Sequence, residues 1–452
     1  MNYKSKRKKN KAKNHFRRIN PLNIRVSFNN RRVTKHGGYC YLEAFLRCFG
    51  LDRLLSQVKL NRRERRYRIK DFLRIIIDII LLDVERVSNV ALLAKDSFLA
   101  GLRDLSRLPD DSSLFRFLQS FSAAGIEQLD EINRKLMKKF SKIKGPLEVT
   151  LDFDATLIPL YGHQEGSAIG YNPYKPGRPS YYPKLAFIAE TGEMLLVKLE
   201  PGTVKATSGF LPFYRRAQAK LPRNYVLTYV RGDAAFYKEE FLEAFEADCI
   251  FYAIKVRKDA YLKRVISLTA EQEFRALDEG EEISTTIIEH LPRTGRKPRR
   301  YVVVRKLKED AEQQGYLFPE EQYCYQVIVT NMEDKSAEEI WRFYNARCNS
   351  ENSVKEAKES FHLDKMPSSG FLANEAYLRL VQLAYNLIIY FKELMLLGQF
   401  AKATFKTIRK WLIDVPANII KRGKSFILNF PRNYMFKKEL LYMQRRLLCL
   451  RL

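Results

Sequence analysis

Residues 145–156 read GPLEVTLDFDAT, and their reading decides the fold. Gly145 and Pro146 punctuate the chain. The pattern after them alternates with a period of two, which is the signature of a strand with one buried face. Leu147, Val149, Leu151 and Phe153 face one way; Glu148, Thr150, Asp152 and Asp154 face the other. Two carboxylates therefore share the polar face, and Asp154 stands at the strand end, where open α/β sheets gather ligands.

Upstream the period is helical. The stretches at 40–55, 71–95 and 112–140 carry apolar residues at i, i+3 and i+4. Between the first two lies the strongly basic run 61–68, NRRERRYR. An all-α region over 39–145 that touches DNA is expected. Residues 1–18 hold nine Lys/Arg and no acid, and 1–38 reads as a disordered basic arm able to lie along phosphates. Downstream, KLAFIAE and EMLLVKLE form a hairpin through Thr191 and Gly192. A helix is expected over 210–220, then strand YVLTYVRGD, a helix over 237–247 and strand CIFYAIKV as a βαβ unit. The fold class is α/β. Residues 258–322 read as a β-rich insertion, 323–331 as a resumed strand, 374–397 as an apolar helix and 398–452 as a basic tail.

The bulk numbers narrow the function. The chain has 452 residues, 46% of them hydrophobic, enough for a real core. A net charge of +28 implies a polyanionic partner, nucleic acid first. A membrane is disfavoured: the most apolar run, Phe72 to Leu82, is short and holds Arg74 and Asp78. No secretory leader is visible. Six scattered cysteines without a C-x-x-C pair, and histidines without ligand spacing, argue against zinc or disulfides and for a reducing cytosol.

Chemistry concentrates at 341–360, WRFYNARCNSENSVKEAKES. Ser336 and Glu339 form a capping box upstream. On one helix, Tyr344, Arg347, Glu351 and Lys358 fall within an arc of roughly 60°. A carboxylate is thus flanked by a guanidinium, an ammonium and a phenol, a set suited to holding a cation and phosphates. Asp233, where strand YVLTYVRG gives way to a loop, supplies a third acid. Asp152 and Asp154 both remain open for the first. Three carboxylates together repel, and a pair of Mg²⁺ or Mn²⁺ ions would resolve that.

Five stretches carry a resemblance: LDFDAT (151–156), YGHQEGSAIGYN (161–172), RGDAAF (231–236), YNARCNSENSVKEAK (344–358) and MPSSGFLANEAYLRLVQLAYNL (366–387). LPDDSSLFRFL (108–118) adds to them. Together they resemble the DDE transposases of bacterial insertion sequences, in the group-one domain family and its branch with a Tyr-Arg-Glu-Lys signature. Ala234 and Ala235 depart from the Ser-Gly pair common after the second acid, though small residues are kept. The resemblance implies a ribonuclease-H-like catalytic core (146–257 and 323–397) interrupted by the insertion and preceded by a helical DNA-binding domain. It implies Asp154, Asp233 and Glu351 as a catalytic, Mg²⁺-binding triad, with Mn²⁺ as substitute. It implies Tyr344, Arg347 and Lys358 on the DNA backbone, and a homodimer on paired ends in the bacterial cytoplasm at the nucleoid. The expected activity is cut-and-paste transposition at terminal inverted repeats into target DNA. The alternatives are a ribonuclease-H-like nuclease without strand transfer and a non-catalytic DNA-binding derivative.

Overall fold

The computed structural model describes residues 32–170, 175–205, 207–258, 260–269, 271–277, 283–292, 295–308, 322–423 and 425–450. Of the disordered basic arm read at 1–38, residues 1–31 lie outside the described residues; the rest is ordered, with Val33–Thr34 a strand and Thr34 and His36 buried.

The first part is helical: α1 (Tyr39–Cys48), α2 (Ile69–Leu81) and α3 (Ala123–Lys144), with shorter helices at Leu51–Leu55, Ser97–Leu102 and Asp111–Leu118. Local chemistry sets the starts. The side chains of Asp96, Asp110 and Ser122 accept the orphan N–H groups of Phe98, Ser113 and Gly125. Gly145 stops α3 by taking a φ of +89°, a conformation a side chain would strain.

Nine strands then build one sheet: β1 (Leu147–Ala155), β2 (Lys184–Ile188), β3 (Met194–Lys198), β4 (Tyr225–Gly232), β5 (Phe251–Lys255), β6 (Arg275–Ala276), β7 (Ile283–His290), β8 (Arg299–Leu307) and β9 (Tyr323–Thr330). Their order is β6-β7-β8-β9-β5-β4-β1-β2-β3. β1 runs parallel to β4, and β4 to β5; the other pairings are antiparallel. The hairpin of β2 and β3 turns at Gly192, whose φ is +74°. Further helices that pack on the sheet or carry the site are α4 (Phe210–Lys220), α5 (Glu239–Ala247), α6 (Ala337–Asn345), α7 (Cys348–Phe361) and α8 (Phe371–Met395).

Both faces of the central strands are covered. Val149, Leu151 and Phe153 pack with Phe210, Tyr214, Phe241 and Phe245 of α4 and α5. The other core joins Leu185, Phe187, Met194 and Val197 to α8, and continues without a break into α1, α2 and α3. Buried polar groups on α8 hold this seam: Asn386 donates to Met194 O and Asn133 Oδ1, both at 2.9 Å.

Three features differ from the sequence expectation. The helix read across 336–361 is two helices: after Asn345 the hydrogen bonds shorten to i−3, with Arg347 N to Tyr344 O at 2.9 Å. A 3₁₀-like turn thus re-aims the chain in mid-run. The strands read within 258–322 extend the same sheet through β9, and a helix, Ala260–Leu268, precedes them. The tail 398–452 contains a hairpin, Ala417–Arg422 with Ser425–Asn429, on which Val33–Thr34 pairs, and a helix, Lys437–Cys449. No helix among the described residues is long and apolar enough to cross a membrane.

Candidate functional site

Strand register assembles the acids. Phe153 of β1 pairs with Gly232 of β4 in parallel, so Asp154 and Asp233 leave neighbouring strand ends side by side. Strands pair at about 4.8 Å, so a long sequence separation collapses to one strand spacing. Close packing keeps it there: a Cβ on Gly232 would meet Phe236 Cβ at 3.1 Å and Ile254 Cδ1 at 3.2 Å. Asp233 Oδ1 accepts the Ala235 N–H at 2.9 Å, and Asp154 Oδ1 accepts that of Ala155 at 2.8 Å.

Asp152 is committed elsewhere. Arg231 lies opposite it in the register and donates from Nε to Oδ1 at 2.7 Å and from Nη2 to Oδ2 at 2.8 Å. Both side chains are buried, and Arg231 Nη1 also donates to Phe343 O at 2.7 Å. The fork occupies both oxygens of Asp152 and ties β4 to α6. Asp154 has no such closure. Burial pushes its carboxyl up to about 6; the Arg347 guanidinium opposes the rise, and Asp233 and Glu351 add to it.

Arg347 stands between the other groups. From the turn before α7 its Nη1 donates to Glu351 Oε1 at 2.7 Å, and its Nη2 lies 3.5 Å from Asp154 Oδ2. The Arg347 side chain is 6% exposed, that of Asp154 14% and that of Glu351 59%. Glu351 thus reaches the centre through the guanidinium, from the first turn of α7, where the helix end favours negative charge. Lys358, one face further along α7, donates from Nζ to Leu157 O at 3.2 Å, just past Asp154. Burial lowers its pKa, opposed by Asp364 and Asp154. Tyr344 packs among Ala253, Val302, Ile328 and Ile340, and burial pushes its phenol up to about 12.

The structure therefore brings Asp154 and Asp233 together, links Glu351 to Asp154 through Arg347, sets Lys358 on the Asp154 side, and buries the body of Tyr344. Two further residues of the site escaped sequence reasoning. Arg231 carried a usable signal: its alternation on β4 puts it on the face of Asp152. Tyr182 is half-buried, and its phenol pKa is raised by burial, then by Asp233 and Asp154. Its signal was the Tyr-rich run before β2, which alone says nothing about distance.

The donor set suits a hard divalent cation. It is all oxygen, and the charges of Asp233 and Glu351 add to the cost of ionising Asp154. Among the described residues no three His, Cys, Asp or Glu side chains are gathered as a metal-holding group. Arg347 supplies the positive charge between Asp154 and Glu351 instead.

A family model described as transposase DDE domain group 1 matches residues 16–452. Among solved structures, the chain is similar to a piggyBac transposase synaptic complex with hairpin DNA. The identity is 9%, over 92% of this chain and 80% of that one, with a TM-score of 0.45. It is also similar to the Mos1 transposase paired-end complex with the left transposon end, at 12% identity over 45% of this chain and 62% of that one, with a TM-score of 0.17. No curated protein matches the chain.

Proposed function

The chain belongs to the group 1 transposase DDE domain family, and from that premise we propose that it cuts and joins DNA strands at a centre built from Asp154, Asp233 and Glu351. The observation that carries the reading is the register that sets Asp154 beside Asp233 at parallel strand ends, with both oxygens of Asp152 engaged by Arg231. The order β3-β2-β1-β4-β5, three antiparallel strands followed by two parallel ones, supports a ribonuclease-H-like core. In this reading 39–145 is the DNA-binding domain, 258–322 an insertion into the core, and two copies act on paired inverted-repeat ends.

Asp154, Asp233 and Glu351 would hold Mg²⁺ or Mn²⁺. Bound there, the ions would stabilise charge on the attacking and leaving oxygens of an in-line displacement. The protein's own part is positioning. Lys358 and Arg347 present cationic donors on the α7 side of Asp154, where they would orient the scissile phosphate. Tyr344, anchored by its ring, would offer its hydroxyl to the same backbone. Water attacks first and frees a 3′-OH; that hydroxyl then attacks the opposite strand or target DNA, with the leaving oxygen departing in line. The exposed cations of the run 61–68, Arg63 and Arg65 among them, give the helical part a phosphate-binding surface.

The test is strand cleavage and joining on the DNA flanking the gene, with purified protein, Mg²⁺ or Mn²⁺, and Asp154→Ala as control. Cuts at the repeat boundaries followed by 3′-OH joining, both lost in Asp154→Ala, are expected. Cutting without joining would instead identify a nuclease. Tight binding with no cutting on paired ends would sink the enzymatic reading.

A further inference from the structure

Arg347 makes fewer hydrogen bonds than its chemistry allows. A guanidinium carries five N–H donors. This one makes a hydrogen bond to Glu351 at 2.7 Å and a longer approach to Asp154 at 3.5 Å. Its Nε is buried with no hydrogen-bond partner among the described residues. A buried donor left unmade is costly, so the position is not one that satisfies the side chain fully. Its guanidinium nevertheless lies between Asp154 and Glu351, the two carboxylates that a shared cation would need.

We propose that Arg347 is a positioning residue that exchanges partners: it neutralises Asp154 and Glu351 in the free protein and moves to a DNA phosphate when a divalent cation enters. The inference rests on the reading of those acids as a metal-binding set. The geometry provides for the exchange. Glu351 is 59% exposed on the first turn of α7, so releasing it needs only side-chain rotation. A phosphate offers a guanidinium two parallel acceptors, which two carboxylates on separate elements do not. Arg347 also sits at a break in helical hydrogen bonding, between α6 and α7, rather than mid-helix. The metal then competes with Arg347 for the carboxylates while the phosphate competes with the carboxylates for Arg347, so each ligand should raise the protein's affinity for the other by the same factor. The consequence for the reaction is that DNA favours loading of the cutting-competent centre.

The experiment measures Mn²⁺ binding to the full chain by electron paramagnetic resonance, with and without a short duplex, subtracting Mn²⁺ bound by duplex alone. In the parent protein, DNA should tighten Mn²⁺ binding by about 5- to 150-fold, the usual span of such couplings. Arg347→Gln should bind Mn²⁺ more tightly than the parent without DNA, and gain nothing from the duplex. Arg347→Lys keeps the charge but loses the fork, and serves if the glutamine variant melts early; it too should lose most of the coupling. Equal Mn²⁺ affinity in parent and both Arg347 variants, with affinity lost in Asp154→Asn, would overturn the exchange while leaving the metal site standing. Unchanged Mn²⁺ binding in Asp154→Asn would overturn the metal-site reading, and the exchange with it.

Discussion

Arg231 and Asp152 form a two-pronged ion pair, 2.7 and 2.8 Å long, between adjacent parallel strands and shielded from solvent. The pair separates two carboxylates that the sequence leaves equivalent. Asp152 serves architecture, because its charge is matched inside the core. Asp154, one alternation further, keeps its charge for other use.

That division is measurable. Asp152→Ala strands a buried guanidinium and should cost about 3–5 kcal/mol of stability. Asp154→Asn removes a carboxylate whose ionisation burial already disfavours, so its stability at neutral pH should equal or exceed that of the parent. Denaturant unfolding of the two variants distinguishes them, and the reverse ranking would refute the division of roles.

Glu193 sets a pH dependence remote from the acids. It is fully buried at the β2–β3 turn, taking hydrogen bonds from Tyr390 Oη at 2.7 Å and Thr191 Oγ1 at 2.9 Å. Burial pushes its carboxyl from 4.5 up to about 7, against the pull of those bonds. The folded state therefore holds a proton that the unfolded chain releases. Its stabilising contribution is complete below the unfolded value and is lost as pH rises through about 7. Unfolding free energy should fall across that interval by at most roughly 3 kcal/mol. Glu193→Gln should flatten the slope; an unchanged pH profile in the variant would rule Glu193 out as its source.

The exposed run at 61–68 should act through phosphates and not through bases. Replacing both Arg63 and Arg65 with Ala should weaken binding to every duplex alike. It should also reduce the slope of log affinity against log salt by about 0.9 for each phosphate no longer neutralised. A change in sequence preference with no change in slope would contradict this assignment.

Gly38 joins the two ends of the described chain. Its N–H donates to Ile413 O at 3.1 Å, and an added Cβ would sit 1.8 Å from Leu412 O. That neighbour is backbone and cannot swing away. Gly38→Ala should cost about 1–3 kcal/mol or more. Gly101→Ala, which would meet nothing within 4 Å, should be near neutral. Equal melting temperatures for the two variants would show that the C-terminal segment does not hold α1.

Much of the local structure is legible in the residues alone. The period of two over 147–154 marks β1 and its polar face, because alternation is a property of the strand itself. The capping box at Ser336 and Glu339 is formed as its spacing indicates, since both partners lie within one turn. The hairpin at Gly192 and the parallel pairing of β4 with β5 were legible for the same reason: each depends on neighbours in sequence.

What escaped was whatever depends on distant segments. The break at Ala346 and Arg347 is silent in helical periodicity, because both residues keep helical backbone angles and only the hydrogen-bond register changes. The pairing of Val33–Thr34 with the hairpin near the other end has no local signal at all. By itself the sequence determined the elements, the basic character and the set of acids, since propensity, alternation and charge are carried by the residues themselves. Only the tertiary structure decided that Asp154 stands beside Asp233, that Arg231 engages Asp152, and that Arg347 lies between Asp154 and Glu351. Strand register and side-chain reach convert residues far apart in the chain into neighbours, and neither is written in any one stretch of it.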